Sequence, residues 1–363
     1  MIKVLWLSPN FNHYKARCLN HLASDKKIKL TVLSGSGRNQ VGDKEINGNW
    51  KFEYIRVEVP KMKFGRSNLI RKYLKSMIQD FDWVMLPAEK KNLPLFWLIK
   101  KLKEKHPNVR FFSYNHPIFK SGKGKITMLD KILTKWVFKK LDRVIFYTEQ
   151  SYEWALKKKL VPKIKAYWAN NTIDDIEIKK QYTFVQPPPE PRILFIGRLI
   201  KSKRIYDLLT YYQELKINLP SLKLEIIGDG PQKNIIEAIL RQTNSIIWHG
   251  AIVDEKKIAP IMQRTSLVFI PGHSGLSINH AFTYGRPYIT IEGASHAPEL
   301  DYIDNDKNGF ILPDDKNTII TNITELINNR KKLEQFCCHA KEKGKELSIQ
   351  NWVAQIKYSL LHE

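Results

Sequence analysis

The chain of 363 residues carries 60 Lys+Arg against 36 Asp+Glu, with 43% hydrophobic residues, 11% aromatics and three cysteines. That length suits two globular units with separate cores, and the ordinary apolar content excludes a disordered or collagen-like chain. The net charge of +24 is uneven: residues 1–186 hold 38 basic and 16 acidic side chains, net +22, leaving +2 for the rest, so the first half either meets a nucleic acid or an anionic membrane surface or carries a merely solvated lysine-rich face.

The opening MIKVLWLS has too short an apolar run for a secretion signal and reads as a strand. Strands are expected at Ile2 to Leu7, Leu30 to Leu33, Phe52 to Val59, Trp83 to Leu86, Arg110 to Ser113 and Arg143 to Tyr147, with helices between them. Such alternation implies a parallel sheet covered on both faces, with sites past the carboxyl ends of its strands. Asn12, His13 and Tyr14 follow the first strand and His116 follows the fifth, so all four are candidates for a cleft. A histidine there can donate or accept a proton near neutral pH, or it can simply cap or fill the fold.

Two lysine-rich helical blocks, Lys61 to Ile78 and Lys120 to Lys140, lie in this half. In the second, Ile126, Leu129, Leu133, Trp136 and Val137 recur at spacings of three and four beside lysines. That face suits either the core or a membrane surface, as does Leu95 to Lys105 with Phe96 and Trp97. Trp136 and Phe138 would join those two rings in apolar insertion. No run approaches the roughly 18 apolar residues of a membrane span. Cys18 and the adjacent Cys337 and Cys338 do not suit a disulfide framework, which points to a reducing cytosol.

FVQPPPEP, residues 184–191, forbids a helix and reads as a stiff linker. A second alternating series follows, with strands at Arg192 to Ile196, Leu222 to Ile227, Ile246 to His249, Leu267 to Ile270 and Tyr288 to Ile291, and helices from Ile205, Lys233 and Leu276. Lys343 to His362 reads as one closing helix with Trp352. Successive strands run into glycine turns: Gly197-Arg198-Leu199 with Lys203 five residues past the arginine, Gly228-Asp229-Gly230, Trp248-His249-Gly250, and Pro271-Gly272. The amides of Gly275, Leu276 and Ser277, at the start of a helix that Gly285 closes, suit an anion. Arg198 offers a planar fork and Lys203 a mobile charge, a pair able to neutralise a diphosphate.

Taken together, GRLxxxKR, IGDGP, WHG followed by Asp254, PGxxGLSxxHAFxYGxP, HAPE and NGFIL resemble the GT-B fold glycosyltransferases of the retaining family 4 type. The resemblance is strongest from Arg192 to Pro313. In the first half, SPNFNHYKAR, YNHP and VIFYTEQS are similar to members acting on lipid-linked sugars. It implies two doubly wound parallel-sheet domains facing a cleft: an acceptor-binding domain 1–184, a linker 185–191, a nucleotide-sugar-binding domain 192–345 and a crossover helix 346–363 returning to the first domain.

The resemblance further implies that Arg198 and Lys203 hold the donor diphosphate, with Gly197, Gly228, Gly230, His249, His273, Gly275, Leu276, Ser277 and Glu299 around the donor. His116 would act near the reacting sugar, and Asn12, His13 and Tyr14 near the acceptor. The sequence departs from the family at a paired-glutamate motif of spacing eight, where Gly272 replaces the residue that meets the donor sugar and His280 the one that meets the ribose. His280 could hydrogen-bond a ribose hydroxyl or be a buried structural side chain.

The expected function is transfer of a sugar, with retention, from a nucleoside-diphosphate donor to a hydroxyl of a lipid-linked glycan. The enzyme would be cytoplasmic, peripheral on the inner face of an anionic membrane, without cofactor, metal or nucleic acid. Asp304-Asn305-Asp306 reads as a plain turn. A catalytically silent scaffold of the same fold and a nucleic-acid-binding protein are the alternatives. Against the latter, no helix-turn-helix, zinc-ligand or aromatic RNA-binding pattern is present.

Overall fold

The structure, a computed structural model, describes residues 1–35, 49–119, 126–241 and 243–362. Two compact units form, Met1–Ile173 with Ile349–Glu363, and Asp174–Ser348.

The first unit holds seven parallel strands, β1 (Ile2–Ser8), β2 (Ile28–Ser34), β3 (Glu53–Arg56), β4 (Trp83–Met85), β5 (Arg110–Asn115), β6 (Arg143–Phe146) and β7 (Ala166–Trp168), in the order β3-β2-β1-β4-β5-β6-β7. Four successive β1 residues, Val4, Leu5, Trp6 and Leu7, are buried, as a sheet covered on both faces requires. Helix Ile349–Leu361 packs on this unit, where Trp352 lies 6.5 Å from the Trp6 ring and its Nε1–H donates to Tyr114 Oη at 3.1 Å.

Several local expectations change. The sequence pattern does not single out β7, a strand of three residues, and β3 is shorter than expected. Lys61 to Ile78 divides into a 3₁₀ segment Lys61–Arg66 and a helix Asn68–Met77, whose first turn is capped by the Ser67 hydroxyl. The second lysine-rich block forms a helix only over Met128–Lys140, opened by a capping box between Thr127 and Asp130, and residues 120–125 lie outside the described residues. Phe96 and Phe138, expected at a membrane border, are fully buried core residues. On the helices Leu93–Lys105 and Met128–Lys140 the apolar side chains more than half exposed are Trp97, Met128, Leu129 and Ile132.

The second unit holds six parallel strands, β8 (Arg192–Ile196), β9 (Lys223–Ile227), β10 (Ile246–Trp248), β11 (Leu267–Phe269), β12 (Tyr288–Ile291) and β13 (Gly309–Leu312), in the order β10-β9-β8-β11-β12-β13. The order reverses between β8 and β11, and there the crevice past the strand ends is the usual place for a ligand. The unit begins at Asp174, ahead of the proline run, because helix Asp175–Gln181 packs against helix Glu255–Arg264 of this unit.

The single closing helix expected over Lys343 to His362 is two helices, Arg330–Glu346 and Ile349–Leu361. Its halves serve different cores: Phe336, Cys337 and Ala340 are buried in the second unit, while Ile349, Trp352 and Ile356 are buried in the first.

Candidate functional site

At the β8/β11 reversal the backbones of adjacent turns touch. Gly197 N–H donates to the Ile227 carbonyl at 2.9 Å, and a Cβ on Gly228 would lie 1.8 Å from the Gly197 oxygen. On the other side, His273 N–H donates to the Ser202 carbonyl at 2.7 Å, and a Cβ on Gly272 would lie 2.1 Å from that same oxygen. Any side chain at 272 would collide with the Ser202–Lys203 backbone, so the departure to glycine there is a packing requirement of this turn. Gly230 is closed in similarly, with its Cβ position 2.6 Å from the Leu199 oxygen.

Lys203 ends the 3₁₀ segment Lys201–Lys203, and Arg204 follows in the left-handed region at φ +57°. Arg204 is held there by a two-pronged pair with Asp314, both bonds 2.9 Å, and by Asp207 at the next helix's first turn. Such a conformation is uncommon outside glycine and is over-determined by those carboxylates. It leaves Lys203 aimed at Gly197: its Nζ lies 3.5 Å from where a Gly197 Cβ would be. The ammonium is half-buried, and burial alone pushes its pKa down to about 8. Among the described residues it forms no ion pair. Arg198, on the same turn, is exposed.

Below the Gly272–Ser277 turn lies a buried hydroxyl network. Tyr288 Oη donates to Ser274 Oγ at 3.0 Å and lies 2.8 Å from Ser277 Oγ, while Ser274 Oγ donates to the Gly272 carbonyl at 3.1 Å. The turn is fixed from above by His296, which accepts Ser274 N–H on Nδ1 at 3.1 Å and meets the Ile291 carbonyl through Nε2 at 2.8 Å. A carbonyl only accepts, so Nε2 carries the proton. Burial, with smaller contributions from His273 and Lys203, lowers the His296 pKa. His273 contacts the Ser295 carbonyl through Nδ1. His296 lies within the HAPE segment, of which the sequence marks only Glu299 as a site residue. Glu299 is buried, with Oε2 3.8 Å from the Cβ position of Gly275.

Two expected donor contacts are engaged by carboxylates of the chain. His249 Nε2 lies 2.7 Å from Glu225 Oε2, inside a cluster in which the fully buried Glu225 also receives Arg192 and Arg264. Neighbouring Trp248 donates its Nε1–H to the Gly228 carbonyl at 2.8 Å. His280 Nε2 lies 3.0 Å from Glu255 Oε1, and Tyr284 Oη donates to Glu255 Oε2 at 2.7 Å. Leu276 and Ser277 are half-buried at the start of helix Ser277–Thr283, which Gly285 closes at φ +64°. Asp304 and Asp306 pair with Lys343 and Lys332, and no cluster able to hold a metal ion occurs among the described residues.

In the first unit, Asn12 caps helix His13–Leu22, its Oδ1 accepting Tyr14 N–H at 3.0 Å and Lys15 N–H at 3.4 Å. The His13 and Tyr14 rings lie tilted by 36° with centroids 3.9 Å apart, and the exposed His116 meets the Tyr147 ring edge-on at 5.1 Å. β1 and β5 flank β4, so these residues follow strand ends at the same edge of the sheet.

Residues 190–329 match the family model described as Glycosyl transferases group 1. No curated protein matches the chain. Among solved structures, HepE of Anabaena in complex with UDP aligns at TM-score 0.72 and 14% identity over 99% of each chain. Sucrose-phosphate synthase of Thermosynechococcus elongatus aligns at 0.71 and 14% identity, over 98% of this chain and 97% of that one. TarM aligns at 0.58 and 17% identity over 83% of this chain, which spans only 58% of TarM. The chain therefore has the GT-B fold, and its segment 190–329, which contains every turn of the site in the second unit, is a match to the group 1 glycosyl transferases.

Proposed function

We propose that the chain is a glycosyltransferase that moves a sugar from a nucleoside-diphosphate donor to a hydroxyl of a glycan acceptor, with retention as the likeness to the family 4 type implies. The observation that carries this is Lys203: a half-buried ammonium at the sheet reversal, with its pKa lowered to about 8 by burial alone. Desolvating a cation without a counter-charge costs stability, and a diphosphate supplies that charge when bound. HepE and TarM have been solved with UDP, and HepE with UDP-glucose, so UDP is the first donor nucleotide to test.

The chemistry asks for charge stabilisation more than for covalent help. The anomeric C–O bond breaks with its electron pair on the departing diphosphate, and Lys203 and Arg198 stabilise that charge. The acceptor oxygen then bonds to the anomeric carbon, and its proton passes to an oxygen of the departing diphosphate. Two basic side chains at the leaving group do the work a metal ion would otherwise do. We assign the acceptor to the first unit, with His116, His13 and Tyr14 as its contacts.

The acceptor in this reading is lipid-linked and the enzyme is peripheral on the cytoplasmic face of an anionic membrane. No helix among the described residues is long and apolar enough to cross a bilayer. Supporting the docking, Met128, Leu129 and Ile132 are exposed on one helix. That helix also supplies Lys135 and Lys139 to a cavity lined further by Lys159, Lys163 and Lys165 and by no acidic residue.

Melting the protein with UDP, GDP, CMP and ADP tests the reading. A ligand at 100 times its Kd stabilises by about 2.7 kcal/mol, and failure of all four to shift Tm would overturn it.

A further inference from the structure

We propose that Asp314 is a positioning residue of the donor site: acting through Arg204, it holds the Lys203 ammonium where the diphosphate binds, from 110 residues away in the chain. This rests on the glycosyltransferase reading and adds what sets the affinity of that site.

On one side Lys203 is held by the Gly272 turn, where His273 N–H donates to the Ser202 carbonyl at 2.7 Å. On the other side the chain leaves the 3₁₀ segment Lys201–Lys203 and enters helix Ile205–Asn218, and residue 204 alone makes that change of direction, at φ +57° and ψ +47°. Its N–H donates to the Lys201 carbonyl at 3.1 Å, and its carbonyl accepts Leu208 N–H at 3.1 Å. The direction in which Lys203 leaves the backbone therefore depends on residue 204 staying left-handed, a conformation that a residue with a Cβ disfavours.

The Arg204 side chain offsets that bias. Its guanidinium reaches Asp314 through both terminal nitrogens, each bond 2.9 Å, and Asp207 through Nε. Asp314 is fixed in turn. It lies between strand Gly309–Leu312 and helix Lys316–Asn328, and Tyr211 Oη, from the helix that Arg204 precedes, donates to its Oδ1 at 3.4 Å. Arg204 holds the Asp314 carboxyl below its ordinary range, so the pair is ionised at neutral pH. With its fork turned to carboxylates, Arg204 is not itself a phosphate ligand, although it adjoins Lys203. Asp207 is a local partner, three residues along, whereas Asp314 is the one that only the fold brings there.

Calorimetric titration of the full chain with UDP, GDP and inorganic pyrophosphate, beside a melt of each variant, tests the assignment. Asp314→Ala should weaken every one of these ligands that the parent binds by about fivefold to thirtyfold, the bias against a left-handed residue with a Cβ. Removing a nearby carboxylate would by charge alone tighten an anion, so the sign separates positioning from electrostatics. Arg204→Gly and Arg204→Ala both lack the guanidinium, and the glycine variant should bind more tightly by about fivefold or more, because glycine adopts positive φ freely. In the Arg204→Gly background, Asp314→Ala should cause no further loss. A merely structural Asp314 would instead lower Tm and leave affinity unchanged. Should Asp314→Ala fail to melt cooperatively, Asp314→Asn, of the same shape, takes its place with the same expected sign. Parent-like affinity in the folded Asp314 variant, equal affinities of Arg204→Gly and Arg204→Ala, or an equal loss in both backgrounds overturns the assignment and leaves the glycosyltransferase reading intact. A parent that binds neither nucleotide nor pyrophosphate overturns both.

Discussion

Gly272→Ala is the smallest change that tests how the diphosphate site is built. Its Cβ would fall 2.1 Å from the Ser202 oxygen and 2.6 and 2.8 Å from the Lys203 carbonyl carbon and Cα. Ordinary contact is about 3.5 Å or more, so the Ser202–Lys203 backbone must retreat by roughly 1 Å. Gly272 is not at positive φ, so steric overlap is the whole cost, about 1–3 kcal/mol for overpacking. That corresponds to a fall in Tm of roughly 2–12 °C in a unit of this size.

The displaced segment carries Lys203, and losing one charge-assisted bond to phosphate, about 1.5–3 kcal/mol, should weaken UDP binding about tenfold to a hundredfold. Gly275→Ala is the comparison: its Cβ would meet the Ala297 methyl at 3.3 Å and Glu299 Oε2 at 3.8 Å, and no backbone atom, so its Tm should fall less. Scanning calorimetry and titration with UDP are the assays. A Gly272→Ala protein with the parent's Tm and UDP affinity would refute the packing argument and the place it gives Lys203.

The charge state of Lys203 sets a pH dependence: its folded pKa of about 8 lies below the unfolded value near 10.4. Between those values the unfolded chain holds the extra proton, so Lys203's contribution to stability rises with pH, whereas UDP affinity should fall as pH rises through about 8 and Lys203→Ala should show neither trend. Glu225→Ala would leave Arg192, Arg264 and His249 facing an empty site and should destabilise the second unit by about 3–5 kcal/mol in a melt. In vesicle sedimentation, the chain should pellet with anionic lipid at low salt and be released at 1 M salt, where the screening length is about 3 Å. Leu129→Ser with Ile132→Ser should reduce recovery, and equal recovery with neutral and anionic vesicles would remove the membrane proposal.

Much of the fold was legible because its strands are continuous apolar runs, as a parallel sheet covered on both faces needs, and in the second unit several of them end in glycine turns. Gly197, Gly228 and Gly272 mark turns in the sequence, but only the structure shows them in mutual backbone contact, with a Gly228 Cβ meeting Gly197 and a Gly272 Cβ meeting Ser202. The buried polar contacts that the sequence does not show depend on distant partners. His296 binds Ser274, Glu255 binds His280 and Tyr284, and the fully buried Arg286 donates to carbonyls of Met262 and Val185. No local pattern encodes pairs so far apart. Phe96 and Phe138 sit among lysines in the sequence, as border residues would, yet each turns inward from its helix to the core. The break at Leu347–Ser348 was missed because nothing local forces it; two cores claim the two halves.

The central claim is that Lys203 is the cation of a diphosphate site, and titration of Lys203→Ala with UDP and with inorganic pyrophosphate, beside its Tm, tests it most directly. Both ligands should weaken by about tenfold or more, with Tm unchanged or raised because a desolvated charge has been removed. Parent-like affinity for pyrophosphate in a folded Lys203→Ala protein would contradict it.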